Sequence, residues 1–343
     1  MRLTSQPFGT TRSGHEIMVH VLSDDLGTTV RLIDYGASLI SLRTPDRGGR
    51  TGEITLGYGT IASYEADEIY AGRTVGRFAN RIADASFVLG DRTHRLATNA
   101  DGLNHIHGGP GGLHSVVWDA ETWTADSDVG VAFTHRSPHM AENYPGTVDV
   151  TVTYTLNRDR ELRIFESATT DRPTILNLTN HTYFNLGATK TILDHTVRID
   201  SSHFIPTSSY GIPIAGPTPV TGEMDLRQAV RIGSVIDADN DHLSRVGGFD
   251  HTWVLPEDAD PLTYPIHVSD PASGRWLAVQ TDKPGVRFYT GNNLTGSRFE
   301  RYGGFCVETM HFEDSPNQPD FPSTVIAPGN PYAQVTTFSF GGA

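Results

Sequence analysis

The run Val148-Asp149-Val150-Thr151-Val152-Thr153-Tyr154-Thr155-Leu156 alternates apolar and polar side chains without a break. That is the period of an extended strand with one buried face, because successive side chains of a strand point to opposite sides. Working outward, similar runs occupy Thr29 to Leu42, Glu161 to Thr169, Arg275 to Thr281, Val286 to Thr290 and Gly304 to Met310. Turn sequences such as Asp282-Lys283-Pro284-Gly285 separate them. Helical signals are confined to short pieces near Ile61 to Asp67 and Leu226 to Ile236, and no alternation of strands with helices argues for a parallel sheet. The fold class read from this pattern is all-β, a large antiparallel β sandwich. A chain of 343 residues allows one large β domain or two smaller ones. The stretch from Ile205 to Gly222, rich in Pro, Gly, Ser and Thr, reads as a long surface loop, because alternating runs resume on both sides of it.

Lysine and arginine together number 26 against 40 carboxylates, a formal net charge of −14. A field of that sign repels nucleic acid and anionic membrane, so the expected partner is a neutral small molecule. The start, Met1 to Gly9, lacks the apolar core of a signal peptide, and no stretch is long enough to span a membrane. The expected location is the cytoplasm. The single cysteine, Cys306, lies in the apolar run Phe305 to Val307; it excludes an internal disulfide and reads as a buried, unreactive thiol.

No G-x-G-x-x-G, G-x-S-x-G or P-loop pattern occurs, and neither lysine, Lys190 or Lys283, follows a glycine. Nucleotide cofactors and a hydrolase elbow therefore lack their usual sequence support. His105-Ile106-His107 puts two imidazoles on one face of an extended segment, and His311-Phe312-Glu313 offers a similar pair. Neither is a complete ligand set at metal-site spacing, so no metal and no cofactor are expected.

Dense clusters of polar groups interrupt the strands: Gly76-Arg77-Phe78-Ala79-Asn80-Arg81-Ile82, Asn104-His105-Ile106-His107-Gly108-Gly109, the stretch Asn177 to Leu186, Gly247 to Trp253, and Gly304-Phe305-Cys306-Val307-Glu308-Thr309. Singly each is weak, since a buried Asn or His is more often a satisfied structural hydrogen-bonder than a catalyst.

Together, and in this order, the clusters resemble the aldose 1-epimerase (galactose mutarotase) family, over nearly the whole chain from the strand around Gly36 to Asn317-Gln318-Pro319-Asp320-Phe321-Pro322-Ser323. The resemblance implies a single domain over residues 1–343, a strongly twisted β sandwich of the galactose mutarotase type with a sugar in an open cleft on one face. It implies that Asn80, Arg81, His107 and Asp250 bind sugar hydroxyls and that Tyr183 touches the substrate. It also implies that His181 donates a proton and Glu308 accepts one. One position departs from the family: Arg287 stands where Gln is common.

The residues agree with that assignment. Anomer exchange needs the O1 hydroxyl to lose a proton while the ring oxygen gains one, so one base and one acid suffice. Histidine as a residue type has a reference pKa of about 6.5 and glutamate of about 4.3, so a protonated imidazole and a carboxylate coexist near neutrality. Arg81, Asn80, Asp250 and His107 offer donors and acceptors suited to a ring of hydroxyls, and Arg81 or His107 could steady charge developing on oxygen. Taken alone, Asp250 reads as a turn-former ahead of a strand.

Strand alternation puts Arg287 and Tyr289 on one face, so the guanidinium points toward the cleft if the family's Gln does. A fixed cation there suits a phosphorylated, sulfonated or uronic sugar, or it donates to a neutral hydroxyl or pairs with Asp250. Two further readings stand beside the mutarotase: a non-catalytic carbohydrate-binding protein of the same fold, and a glycoside hydrolase using Asp250 and Glu308 as its carboxylates.

Overall fold

The computed structural model describes residues 1–187, 189–256, 264–295 and 298–342. Its largest element is a nine-stranded antiparallel sheet, ordered Asp119–Thr124, Asp128–Ser137, Val148–Asn157, Glu161–Thr170, Tyr332–Gly342, Arg275–Thr281, Ile266–Ser269, Thr196–Ile199 and Val230–Arg231. In Val148–Asn157 the valines, Tyr154 and Leu156 are buried, while Asp149 is exposed and the threonines lie between. The alternation that decides the fold is therefore one face of this sheet.

That face packs on a six-stranded sheet, ordered Tyr183–Phe184, Phe305–Met310, Gly285–Tyr289, Asp250–Val254, His203–Ile205 and Thr218–Pro219. Val286, Phe288, Phe305, Val307 and Trp253 of the second sheet share one apolar cluster with Val150, Val152, Tyr154 and Phe338 of the first. Leu22, Val30, Leu32 and Leu42, from a five-stranded meander spanning Arg2–Thr10 to Thr51–Glu53, join the same cluster. Each such side chain contributes about 1.5–3 kcal/mol on burial. Phe305–Met310 is buried along its whole length, so its second face, bearing Cys306, Glu308 and Met310, is covered as well. That buried second face carries the site.

Several boundaries differ from the expectation. Thr29 to Leu42 is two strands, Thr29–Ile33 and Ser38–Pro45, broken at Gly36, whose φ is +68°. Asp282-Lys283-Pro284-Gly285 is not a hairpin turn: it carries the chain from the nine-stranded sheet at Thr281 into the six-stranded sheet at Gly285. Lys283 is buried at that corner, ion-paired to Glu166 and donating to the carbonyls of Leu178 (2.8 Å) and Thr309 (3.2 Å).

The helical signal near Ile61 is the helix Ile61–Glu65, capped by Thr60. Within Leu226 to Ile236 only Ile232–Val235 is helical, and the helix Asp241–Val246, capped by Asn240, had no clear periodic signal because it is so short. The stretch from Ile205 to Gly222 is only partly a surface loop, since Pro206, Thr207 and Gly211 are buried in it. Among the described residues no helix is long and apolar enough to cross a membrane.

Candidate active site

Register builds most of the site. Asp250 pairs with Tyr289, Tyr289 with Cys306, and Cys306 with Tyr183, so these four form one rung across the six-stranded sheet. The next rung on the same face is Thr252, Arg287 and Glu308. Continuing the pairing of Tyr183–Phe184 with Phe305–Met310 past Tyr183 brings His181 to the end of this second rung. Neighbours on one face of adjacent strands lie within about 5 Å, close enough for side chains to meet. His181 Nε2 lies 3.9 Å from Glu308 Oε2.

A second wall faces these rungs. Arg81–Ile82 pairs with His105–Ile106, which sets Asn80 beside His107. The two lock each other: the N–H of His107 donates to the carbonyl of Asn80, and the N–H of Asn80 donates to His107 Nδ1, both at 3.1 Å. Both have left-handed backbones, with φ of +62° at Asn80 and +51° at His107, a conformation costly for non-glycine residues and concentrated at functional sites. Gly108 follows at φ +83°, and a Cβ there would overlap the carbonyl of Gly76, which is why a glycine follows this histidine. Asp314 clamps the wall to the sheet: its N–H donates to the carbonyl of Arg81, and its carboxylate accepts the N–H of Ala83 at 2.9 Å.

Between these walls is a cavity of about 170 Å³. His181, Glu308, Asn80, Arg81, His107, Tyr183, Asp250 and Arg287 all line it. A larger groove of about 790 Å³, near Asp128, Gln280 and Pro322, contains none of them. Sequence reasoning missed Tyr70, Tyr289 and Asn293, which also line the cavity. The Tyr70 ring lies edge-on to His107 at 4.6 Å and near His181 at 6.0 Å. It is held there by Asp67, which accepts the N–H groups of Ile69 and Ala71 and pairs with buried Arg73.

Other members of the same polar clusters are structural. Arg77 donates to the carbonyls of Ser137, Pro138, Pro145 and Gly146, and burial lowers it to about 10. Asn177 bridges to His311 and Ala79, Asn180 to Gly72 and Tyr154, and Asn185 to Thr189 and Gly303. His105 has both ring nitrogens engaged, by Ala97 and Tyr144, and burial depresses it to about 4.

Electrostatics differentiate the cavity groups. Burial raises the Glu308 carboxyl, more than His181 and Arg287 lower it, and its Oε2 has no hydrogen-bond partner among the described residues. A carboxylate so placed is a stronger base than one in water. His107 is held far below its ordinary value by burial and then by the charges of His181 and Arg81. Because its Nδ1 accepts from Asn80, the neutral ring keeps its proton on Nε2 and is a donor. Burial pushes Asp250 up, but Arg287 and Arg81 outweigh it and hold the carboxylate below the usual range.

Arg287 donates from Nε to Asp250 at 2.7 Å and from Nη1 to Glu313. The guanidinium lines the cavity and pairs with Asp250, one of the roles that the sequence left open to it. Cys306 is buried as expected, yet its Sγ lies 3.6 Å from Nδ1 of His181, a contact that its apolar neighbours in the chain did not signal.

Of the two histidine pairs noted in the sequence, His105 has both ring nitrogens engaged structurally and Glu313 is taken by Arg287. The structure brings ligand atoms of His107, His181 and Glu308 within 4.8 Å of one another. Zinc bonded at about 2.0–2.1 Å holds tetrahedral ligands roughly 3.4 Å apart, closer than the 3.9 Å between His181 and Glu308. The donor types fit a cation, but the spacing and the neighbouring Arg81 and Arg287 do not. One base, one facing imidazole and a ring of donors and acceptors suit proton transfer on a polyhydroxylated molecule.

A family model described as aldose 1-epimerase matches residues 18–339. The galactose mutarotase of Sus scrofa is 36% identical, with 98% of this chain and 98% of that protein covered. The aldose 1-epimerase of Escherichia coli strain K12 is 32% identical, with 95% of this chain and 96% of that protein covered. The solved structure of galactose 1-epimerase from Lactobacillus acidophilus NCFM superposes with a TM-score of 0.87 at 26% identity, covering 100% of this chain and 99% of that one. The sandwich, the cavity at its sheet rungs and these matches lead to one conclusion: the chain belongs to the aldose 1-epimerase family.

Proposed function

We propose that this aldose 1-epimerase exchanges the α and β anomers of an uncharged free aldose such as galactose or glucose, with Glu308 as the base and His181 as the acid. The observation that carries the assignment is the approach of His181 Nε2 to Glu308 Oε2 at 3.9 Å, inside a cavity ringed by hydroxyl-binding groups. Glu308 removes the proton of O1 while His181 protonates the ring oxygen; the C1–O5 bond breaks and an aldehyde forms. Rotation about C1–C2 presents the other carbonyl face. The ring oxygen then attacks, returning its proton to His181 as Glu308 gives one to O1. Two protons move and no electrons are transferred, so the cycle calls for no redox cofactor.

Asn80, Arg81, His107, Tyr183, Asp250 and Arg287 hold the sugar in this reading, and alignment by such groups accounts for a large part of a rate enhancement. The names of the relatives support galactose as a first substrate to test. The carboxylates of Asp250 and Glu313 on Arg287 favour a neutral sugar over an anionic one. We read residues 1–343 as one domain, since the apolar cluster runs from Leu22 to Phe340, and place the protein in the cytoplasm. The test is the decay of optical rotation of freshly dissolved α-galactose and α-glucose. A rate with enzyme equal to the spontaneous rate for both sugars would refute the proposal.

A further inference from the structure

Glu313 is fully buried in the turn that follows Phe305–Met310 and does not line the cavity. Its Oε1 accepts from Thr252 Oγ1 and from Nη1 of Arg287. Thr252 and Arg287 are paired across adjacent strands, so the hydroxyl that anchors the carboxylate and the cation that it neutralises sit side by side. Arg287 is thus held between two acids, Asp250 on the cavity side at 2.7 Å and Glu313 behind it. Its Nη2 is buried with no partner among the described residues, although the residue lines the cavity.

The charge count depends on this residue. Arg81 also lines the cavity and, among the described residues, makes no ion pair. Without Glu313, two guanidinium groups would face one buried carboxylate, Asp250, with Glu68 at the exposed rim, apart from the acid and base. An uncompensated buried arginine attracts carboxylate or phosphate, which its planar fork binds with two parallel hydrogen bonds. Here two of its nitrogens are already engaged and its charge is balanced from behind.

We propose that Glu313 sets the charge class of the substrate: as a positioning residue outside the cavity, it neutralises Arg287 and fixes its free Nη2 as a donor to a sugar hydroxyl. The proposal deepens the reading of the chain as a mutarotase of neutral aldoses and rests on it. It also reaches the base. Glu308 is faced by His181 and Tyr183 on one side, Arg287 and Tyr289 on the other, Cys306 on its own strand, and Asp250, Glu313 and His107 around them. Burial is the largest influence on Glu308, and the negative charge of Glu313 adds to the upward shift.

The experiment compares kcat/KM for galactose and glucose with that for galacturonate and glucuronate at pH 7, by polarimetry, in wild type, Glu313→Gln and Arg287→Gln/Glu313→Gln. Glutamine keeps an oxygen for Thr252 and Arg287 and removes only the charge. In Glu313→Gln the uronate-to-hexose ratio should rise by tenfold or more, and the acidic limb for the hexose should move to lower pH. In the double variant both charges are gone, and the ratio should stay within about threefold of wild type whatever the absolute turnover. A folded Glu313→Gln with unchanged ratio and unchanged limb overturns the proposal. So does a tenfold fall of the ratio in the double variant, because Arg287 would then be binding the anion despite Glu313; this outcome is readable even if the single variant does not fold. Wild type inactive on hexoses, or preferring uronates, would instead sink the underlying reading of substrate.

Discussion

His181 stands across the sheet from Glu308, and the Oε2 that faces it at 3.9 Å is buried with no hydrogen-bond partner among the described residues. The pairing of Tyr183 with Cys306 fixes that opposition through the backbone, so neither side chain relies on a flexible loop for its place. Replacing either functional group should therefore remove chemistry without moving the frame. For His181→Asn and Glu308→Gln we expect kcat to fall by about 100-fold or more, the scale of a general acid or base. Polarimetry on variants with wild-type circular dichroism checks this; near-normal turnover in either would remove that residue from its role.

Asp250 both lines the cavity and holds Arg287 through Oδ1. Asp250→Ala should lower kcat/KM on the best hexose by roughly tenfold or more, because a hydroxyl ligand is lost and the sugar loses alignment with the acid and base. Both KM and kcat should change, whereas loss of simple affinity would change KM alone. Steady-state constants unchanged within error would remove Asp250 from the binding set.

Lys283 and Glu166 form an ion pair with side chains only 1% and 4% exposed. Removing one member of such a pair leaves a buried charge, typically at a cost of about 3–5 kcal/mol, while replacing both by apolar groups recovers much of it. Lys283→Met should be destabilised by about that amount, and Lys283→Met/Glu166→Met by markedly less. Urea unfolding monitored by tryptophan fluorescence measures both, and equal losses in the two variants would argue against an electrostatic origin.

Burial holds three histidines outside the cavity lining neutral, depressing His105 to about 4 and His114 and His251 to about 3. In the unfolded chain each returns to about 6.5. Between those values the unfolded state binds more protons than the folded one, so stability rises with pH. It is complete above about 6.5 and is lost as pH falls toward the folded values. The urea midpoint should accordingly decline from pH 7.5 to pH 5, and less steeply in His105→Gln. A flat midpoint over that range would contradict the assignment.

The long strand Val148–Asn157 was readable because one face meets the core and the other does not. Phe305–Met310 carries no such contrast, being buried on both faces, and there motif order identified Glu308 where periodicity could not. Composition alone could not separate His181 from Asn177, Asn180 and Asn185, since all four are buried polar residues in one cluster. The three asparagines are satisfied by backbone carbonyls or a neighbouring hydroxyl, whereas His181 faces the cavity. Glu313 and Tyr70 were illegible for another reason. Glu313 acquires its role from Arg287 on a neighbouring strand, and Tyr70 from a left-handed turn (φ +58°) held by Asp67. Neither relationship exists until the chain is folded.

A site written on the rungs of a sheet responds differently to insertions and deletions than to substitutions. Deleting one residue ahead of Arg287 in Gly285–Tyr289, or ahead of Glu308 in Phe305–Met310, would turn every later side chain of that strand to the opposite face, placing Phe288 in the slot of Arg287 or Thr309 in that of Glu308. The solvent-exposed tip Ala215 to Pro217 has no such constraint and should accept added length. Changes in chain length compatible with activity should therefore accumulate at such tips, leaving the spacing within Asp250–Val254, Gly285–Tyr289 and Phe305–Met310 invariant.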